Sequence, residues 1–438
     1  MSSGKKEENK ISALGITIWS LCALFFLYEF FLRTFLGALA NQIMPSLNLP
    51  PSEFALLASA FYIAYGVMQI PVGIIGDKFG IKKSLLFACL VSGLSSFLFA
   101  TSGGFITAFI YRFFMGFGGS FAFIILLITT INWFPKKYLA LFVGLGQFIG
   151  TMGALIAGGP LAFIVTQYQV NWRVVFFGIG VFGFVLFILS WIFVKEGKNQ
   201  QKDFLVFIQR PTPLFRKFFQ LFTSKQSMLI AFYSAFIFLS VAMLGAVWGS
   251  LYLQSLGFSQ KLAASIVSFG WFGFACGCPA LGYISDLMVR RKPIMVFCAL
   301  VGLILVCILI YVPFKLFWLY AALFFVLGIT SAGQSIGFAT ITEHVKKDIK
   351  SIALGLNSAF ITLLAALTPI IVGSIIQEVA GPAKLAADYV SKDFTIAFSV
   401  MPLLYFLALV LSLFFIEETF CRSKKEPIYI QTPDRKHI

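Results

Sequence analysis

Charge is what this sequence has least of. Only 11% of its 438 residues are Asp, Glu, Lys or Arg, and only 2 are His. A soluble domain carries about 25% charged and about 45–50% apolar residues. Here 59% are hydrophobic, 54 residues are Phe, and the mean hydropathy is +0.93. That balance excludes an ordinary water-soluble fold, and no nucleic-acid partner is expected despite the net charge of +16. No GxxxxGK[ST] phosphate loop, no nucleophile–base set and no metal-ligand cluster occurs in the sequence. These absences argue against an enzyme, against ATP hydrolysis by this chain, and against any cofactor or metal. The 7 Cys fall mostly inside apolar runs, Cys276 and Cys278 among them, and read as small buried hydrophobes. The polar stretch Met1 to Lys10 is not followed by a short apolar run with a small-residue cleavage site, so no removed signal peptide is expected.

What is present is long and apolar. Runs of helix length fall at about 13–36, 54–76, 84–101, 104–131, 139–167, 173–194, 226–254, 261–285, 294–312, 315–341, 351–377 and 394–416. Each is long enough for about 30 Å of hydrocarbon at about 1.5 Å per residue. They lack the alternation, and exceed the length, of barrel strands. The expected fold is an all-α polytopic membrane protein with twelve transmembrane helices embedded in a lipid bilayer. The longest polar insert splits them six and six. It gives an N-terminal bundle at 1–194, a linker at 195–225, a C-terminal bundle at 226–421 and a polar tail at 422–438. The linker mixes apolar residues with Arg210, Arg216 and Lys217. It reads as a helix lying on the inner leaflet or as a flexible connection.

The basic residues alternate by loop. Twenty-six of the 33 Lys and Arg fall on the side of the two chain ends and five on the other. The positive-inside rule then puts both termini in the cytoplasm of a cell whose inner membrane holds the protein.

One loop occurs twice. Gly73-Ile-Ile-Gly76-Asp77-Lys78-Phe-Gly80-Ile-Lys82-Lys83 lies between the second and third runs. Gly282-Tyr-Ile-Ser-Asp286-Leu-Met-Val-Arg290-Arg291-Lys292 lies 209 positions later, between the eighth and ninth. Two copies at matching places imply two similar halves, hence two pseudo-symmetric six-helix bundles.

Only three ionisable groups lie deep inside any run: Glu29, Arg33 and Arg112. A charge at membrane depth costs about 2.5–3.5 kcal/mol on insertion scales, so each must face protein or water. Glu29 and Arg33 share a helical face at i and i+4. Two cations against one acid favour an anionic substrate. Tyr62, Tyr65, Trp248, Tyr252, Gln334 and Asn357 are candidate pocket residues, aromatic or neutral hydrogen-bonding groups facing the charged set. His344, beside Glu343, reads as a residue near a loop and not as a proton relay.

The paired loops and the twelve runs resemble the major facilitator superfamily, whose signature between the second and third helices is G-x-x-x-D-(R/K)-x-G-(R/K)-(R/K). Here Gly73, Asp77, Lys78, Gly80, Lys82 and Lys83 carry it. The resemblance implies inverted three-helix repeats, a small-molecule substrate bound midway between rocking halves, and a monomer. It also implies a gating role for Asp77 with Lys78, Lys82 and Lys83, and for Asp286 with Arg290. Arg112, followed by Gly116, is similar to the family's fourth-helix motif. An Arg in each of the first and fourth helices resembles the superfamily's organic anion:cation symporters. Some members of that branch place a second acid in the fourth helix, where this chain has Gly119. Proton coupling would therefore fall to Glu29. The Gly-rich fifth run, ending Gly158-Gly159-Pro160, matches the drug-exporter motif poorly. The expected function is proton-coupled uptake of a small organic anion or zwitterion, with Arg33 and Arg112 holding its carboxylate. Transport of an amino acid or short peptide, export of a siderophore or drug, and a receptor without flux are the alternatives.

Overall fold

The chain is helical throughout the residues that the computed structural model describes. These are 12–135, 138–195, 222–312, 314–345, 349–380 and 389–421, without the side chains of 70, 73, 74, 76–78, 140 and 351. Eleven helices are long and apolar enough to cross a membrane. In chain order, and with one further limb at 51–78, they are labelled as follows. The first half holds α1 (Ala13–Ala38), α2 (51–78), α3 (Phe79–Phe99), α4 (Phe105–Trp133), α5 (Leu141–Gln167) and α6 (Trp172–Phe193). The second half holds α7 (Lys225–Ser255), α8 (Gln260–Met288), α9 (Lys292–Tyr311), α10 (Phe317–Glu343), α11 (Ile352–Ala380) and α12 (Ser391–Phe415). The fold class read from the sequence is the one found.

Helix starts are set by short polar side chains that satisfy otherwise orphaned N–H groups. Ser12 Oγ accepts from Gly15 N–H at 3.0 Å, Asn171 Oδ1 from Arg173 N–H at 2.9 Å, and Ser259 Oγ from Leu262 N–H at 3.4 Å. The 77–83 loop expected from the sequence is shorter in the structure. Helical geometry runs from Pro51 to Phe99, broken at Gly80, whose φ of 80° and ψ of 175° lie outside the range open to most residues.

The two halves share close crossings. The carbonyl of Phe61 in α2 sits where a side chain on Gly116 of α4 would project. In the second half the carbonyl of Gly270 in α8 fills the matching space beside Gly328 of α10. Both α4 and α10 also break midway, at Ser120–Phe121 and at Ala332–Gly333. α7 carries eight residues of π-helix, Val241–Trp248, just after Ser240. Such stretches collect at functional positions.

The halves meet along α1 with α7, α2 with α11, and α5 with α8. The face where α1 begins is called here the near face and the opposite one the far face. Side-chain amides stitch the far face shut. Asn41 Nδ2 donates to Gln254 Oε1 at 2.5 Å, and Gln42 and Gln260 pair at 3.0 and 3.2 Å. Gln260 Nε2 also reaches the Ala38 carbonyl at 2.8 Å, and Ser52 N–H donates to Gln377 at 3.3 Å. Deeper in, Ser268 Oγ of α8 accepts from Gly159 N–H and donates to the Leu155 carbonyl, and Ser59 Oγ donates to the Ala366 carbonyl at 2.6 Å. Toward the near face, Ser358 Oγ donates to Gln69 Oε1 at 3.0 Å. The hydrogen bonds between halves are thus concentrated on the far side among the described residues.

Candidate functional site

The centre of the first half is an ion pair along α1. Arg33 Nε and Nη2 both donate to Glu29 Oε1, at 2.8 and 2.5 Å. The i, i+4 spacing places them one turn apart, and neighbouring helices then bury them to 0% exposure for Glu29 and 9% for Arg33. The other carboxylate oxygen, Glu29 Oε2, is buried without a hydrogen-bond partner. Gly119 of α4 lies directly beside it: a Cβ there would meet Glu29 Cγ at 2.9 Å. The absence of a side chain at 119 is what admits the Glu29 carboxylate to this position.

Aromatic rings surround the guanidinium. Arg33 Cζ stands 4.7 Å from the Phe30 ring centre, 4.4 Å from Tyr65 and 5.9 Å from Phe61. Phe61 and Tyr65 stack at 6.2 Å and 18°. Such contacts hold a cation while leaving its outer N–H groups free to bond an anion. Tyr62, on the same turn of α2, is fully buried and its hydroxyl has no partner.

Arg112 is placed differently. Its Nη1 donates to the Leu32 carbonyl and its Nη2 to the Arg33 carbonyl at 2.9 Å, both on α1. Phe35 and Phe61 lie against the guanidinium at 4.6 and 4.9 Å, and the residue is 0% exposed. Its two Nη atoms are therefore directed at main chain, tying α4 to α1, while its Nε is buried without a partner. A buried Arg needs such acceptors when no carboxylate is in reach.

The residues expected from the second half divide in the same way. Trp248 is a seam residue, against Phe54 of α2 at 5.6 Å, with Nε1 donating to the Pro369 carbonyl at 3.4 Å. Tyr252 donates its hydroxyl to the Leu309 carbonyl at 2.5 Å and packs on Phe394 and Phe398. Both are committed to structure. Asn357 of α11 is fully buried with neither Oδ1 nor Nδ2 bonded, and Gln334 of α10 has its Oε1 buried and unbonded. Asn357 lies next to Ser358, which bridges to Gln69, and Gln69 Nε2 reaches the Tyr65 carbonyl at 3.5 Å. Sequence reading missed Gln147 of α5, whose Oε1 is also buried and unbonded. It also missed a hydroxyl cluster at the start of the π-helix: Ser240 Oγ lies 2.6 Å from Tyr405 OH and 2.8 Å from Ser331 Oγ. An isolated Gln, Ser or Tyr in an apolar run was the only signal available for any of them.

At the near face, the side chains of Asp77 and Lys78 lie outside the described residues. Lys82 Nζ donates to the Trp191 carbonyl at 2.7 Å and Lys83 is exposed. Asp286 accepts from Arg291 Nη1 at 2.6 Å, a partner in its own half. Arg291 also bonds Glu343 Oε1 at 3.0 Å, and Thr419 Oγ1 donates to Glu343 Oε2. Glu418 completes the knot by accepting the N–H groups of Arg291 and Lys292 at 2.9 and 3.0 Å. Burial alone would raise its carboxyl pKa, but these donors with those of Phe420 and Thr419 hold it below the usual carboxylate range. Arg290 stands 5.8 Å over the Phe420 ring.

Among the described residues no group of His, Cys, Asp and Glu is arranged to hold a metal. The geometry is that of a buried ion pair and a second buried guanidinium beside a seam between two helical halves.

Comparison with known proteins agrees. The chain is similar to the hexuronate transporter of Bacillus subtilis (strain 168), 26% identical over 261 residues, which cover 59% of this chain and 61% of that protein. It is also similar to the probable galactarate/D-glucarate transporter GarP of Escherichia coli (strain K12), 27% identical over 390 residues, 79% of this chain and 84% of that one. A bacterial homolog of the human lysosomal transporter Spinster, in an inward-facing and unoccupied conformation, superposes with a TM-score of 0.71. Its identity is 14%, over 92% of this chain and 96% of that one, so it speaks to the fold. The Major Facilitator Superfamily model matches residues 21–342. The chain thus spans about three fifths of the hexuronate transporter and less of some other relatives, but with this helical architecture and a family match over most of its length it belongs to the Major Facilitator Superfamily.

Proposed function

We propose that the protein takes up a small organic acid of the sugar-acid type together with protons, by alternating access. The observation that carries this reading is the Glu29–Arg33 pair: one carboxylate oxygen holds the guanidinium while the other has no partner. A substrate carboxylate can replace Glu29 on Arg33 with no change in the cation's own surroundings. Glu29, displaced within a dry pocket, then takes a proton, because an unpaired carboxylate at membrane depth is strongly disfavoured. Binding and protonation thereby become one event. The hexuronate and aldarate transporters among the relatives support an acid as cargo.

Arg33 is the binding cation in this reading, Glu29 the proton carrier, Tyr62 and Tyr65 the wall, and Asn357 and Gln334 the neutral partners across the seam. Arg112, Trp248 and Tyr252 hold the helices that present them. The two six-helix halves, 1–194 and 226–421, would rock about the seam, and most of the linker 195–225 and all of the tail 422–438 lie outside the described residues. The lysine-rich near face would be cytoplasmic, with the protein in a cell's inner membrane. The amide stitching would then close the external side.

Proteoliposomes charged with an inward proton gradient test the reading. Labelled glucuronate should accumulate with the gradient and only equilibrate without it. Arg33→Ala should abolish uptake, and Glu29→Gln should leave exchange but remove the gradient's effect. Accumulation that ignores the gradient, or persists in Arg33→Ala, would end the proposal. Saturable binding of the acid with no flux at all would mark a receptor.

A further inference from the structure

Among the relatives are a transporter named for hexuronates, which carry one carboxylate, and probable transporters of galactarate or D-glucarate and of sulfoacetate, which carry two acid groups. We infer that this site is built for one carboxylate only, with the remainder of the substrate read as hydroxyls by uncharged groups. The inference rests on the organic-acid reading above and narrows its substrate class.

A second carboxylate brought to membrane depth requires a second cation in reach. The described cations of the spans lie at or near their ends, apart from Arg33 and Arg112: Lys82, Lys83, Lys225 and Lys292 toward the near face, Arg173, Lys261 and Lys392 toward the far face. Arg112 has the charge but not the access. Two of its nitrogens donate to the carbonyls of Leu32 and Arg33, and the rings of Phe35 and Phe61 cover it. For its Nη atoms to meet a substrate, α4 would have to give up its two charge-assisted bonds to α1, and the unbonded Nε is itself buried. Arg33 is the guanidinium whose present partner is itself a carboxylate, and so it is the one a ligand carboxylate can satisfy without loss.

The unbonded neutral residues point the same way. Asn357 is 0% exposed, yet its carboxamide oxygen and nitrogen are both unbonded. Buried carboxamides are almost always satisfied. A donor and an acceptor on one side chain match a sugar hydroxyl, which also does both. Gln334 Oε1 and Tyr62 OH are buried and unbonded as well. Four unsatisfied atoms on three uncharged residues are what a polyol needs, whereas a carboxylate would find no positive charge among them.

Competition against labelled galacturonate uptake in proteoliposomes at neutral pH separates the cases. Unlabelled glucuronate and galactonate, each with one carboxylate, should compete near equimolar concentration. Galactarate, with two, should be at least roughly a hundredfold weaker, since an unpaired charge at membrane depth is costlier than an unpaired polar group. Galactose, with none, should not compete. Asn357→Leu should raise the KM for galacturonate by a larger factor than that for a short monoacid such as lactate. Galactarate competing as well as glucuronate would overturn the one-carboxylate inference and leave the organic-acid reading standing. Failure of every acid to enter, or competition by galactose equal to that of the acids, would overturn both.

Discussion

Gly80 and Val289 stand 209 positions apart, and both have positive φ, 80° and 51°. They occupy the same place in the two copies of the repeated loop, at the turn between α2 and α3 and between α8 and α9. In the second copy the turn is a full C-terminal motif. Val289 N–H donates to the Asp286 carbonyl at 3.1 Å and Arg290 N–H to the Ser285 carbonyl at 3.2 Å. That pair of bonds requires a left-handed residue, ordinarily glycine. Valine is among the residues least suited to it, since the left-handed region costs a non-glycine residue about 1–2 kcal/mol. Thus both copies place a positive φ at this position, but ψ differs, 175° at Gly80 and 34° at Val289, so only the second copy closes as a left-handed cap.

The strain at Val289 is measurable. Val289→Gly should raise the unfolding free energy of the detergent-solubilised protein by about 1 kcal/mol. Relief of left-handed strain outweighs the added chain entropy of glycine at a compatible site. Gly80→Val should lower it by at least as much. A Val289→Gly protein that melts at or below the parent temperature would show that the turn is not strained.

The two buried arginines should separate in their effects. Arg33→Ala leaves Glu29 to be protonated, so the protein should fold and melt close to the parent while uptake falls by about two orders of magnitude. Arg112→Ala removes the two bonds that tie α4 to α1 and a fully buried side chain, and hydrogen bonds to a charged group are worth about 1.5–3 kcal/mol each. Its main effect should be on melting temperature and yield. Size-exclusion profiles and thermal melts beside initial uptake rates distinguish the outcomes. Equal stability with equal loss of uptake in both variants would place both groups on the substrate.

These differences mark where the sequence stops being informative. Twelve spans, two halves and the Glu29–Arg33 pair are legible because each depends on local periods: length and hydropathy for the spans, a fixed offset for the halves, i and i+4 for the pair. Arg112 looks like the equal of Arg33, because which carbonyls are within reach of its guanidinium depends on how α4 crosses α1. Tyr252 and Gln334 are both single polar residues in apolar runs, and only packing reveals that the first is bonded to Leu309 and the second is not. Gln254 reads as one more neutral polar group in an apolar run, and Asn41, Gln260 and Gln377 carry no sequence signal of their own, yet together they close the far face. Asp286 reads as a gate by resemblance, while Glu343 and Thr419, far along the chain, set its surroundings through Arg291.

The far-face amides should control the balance between open states. Gln42 and Gln260, from opposite halves, pair at 3.0 and 3.2 Å. In a background without the seven native cysteines, Gln42→Cys with Gln260→Cys should be joined by a short bifunctional thiol reagent. Joining them should stop transport, and cleavage of a reducible linker should restore it, because alternating access requires this contact to part. Cross-linked protein that still transports at the full rate would show that the halves do not separate here.

Gly119 offers the most direct test of the ion pair's placement. A methyl at that position would meet Glu29 Cγ at 2.9 Å and Phe61 Cζ at 3.3 Å, closer than side-chain carbons normally come. Neither neighbour has room to retreat: Glu29 is fully buried, and Phe61 is stacked on Tyr65 and packed near both arginines. Gly119→Ala should therefore push the Glu29 carboxylate along α1 and loosen its hold on Arg33. Uptake should fall by about tenfold or more, since misplacing a reacting group by about 1 Å has effects of that size. The dependence on proton gradient should weaken with it. A cavity-forming change at the same contact, Phe61→Leu, should recover part of the loss when combined with Gly119→Ala, because it gives the displaced side chain a place to go. Unchanged coupling in Gly119→Ala, with normal expression and melting, would mean that Glu29 does not need its present position to carry the proton.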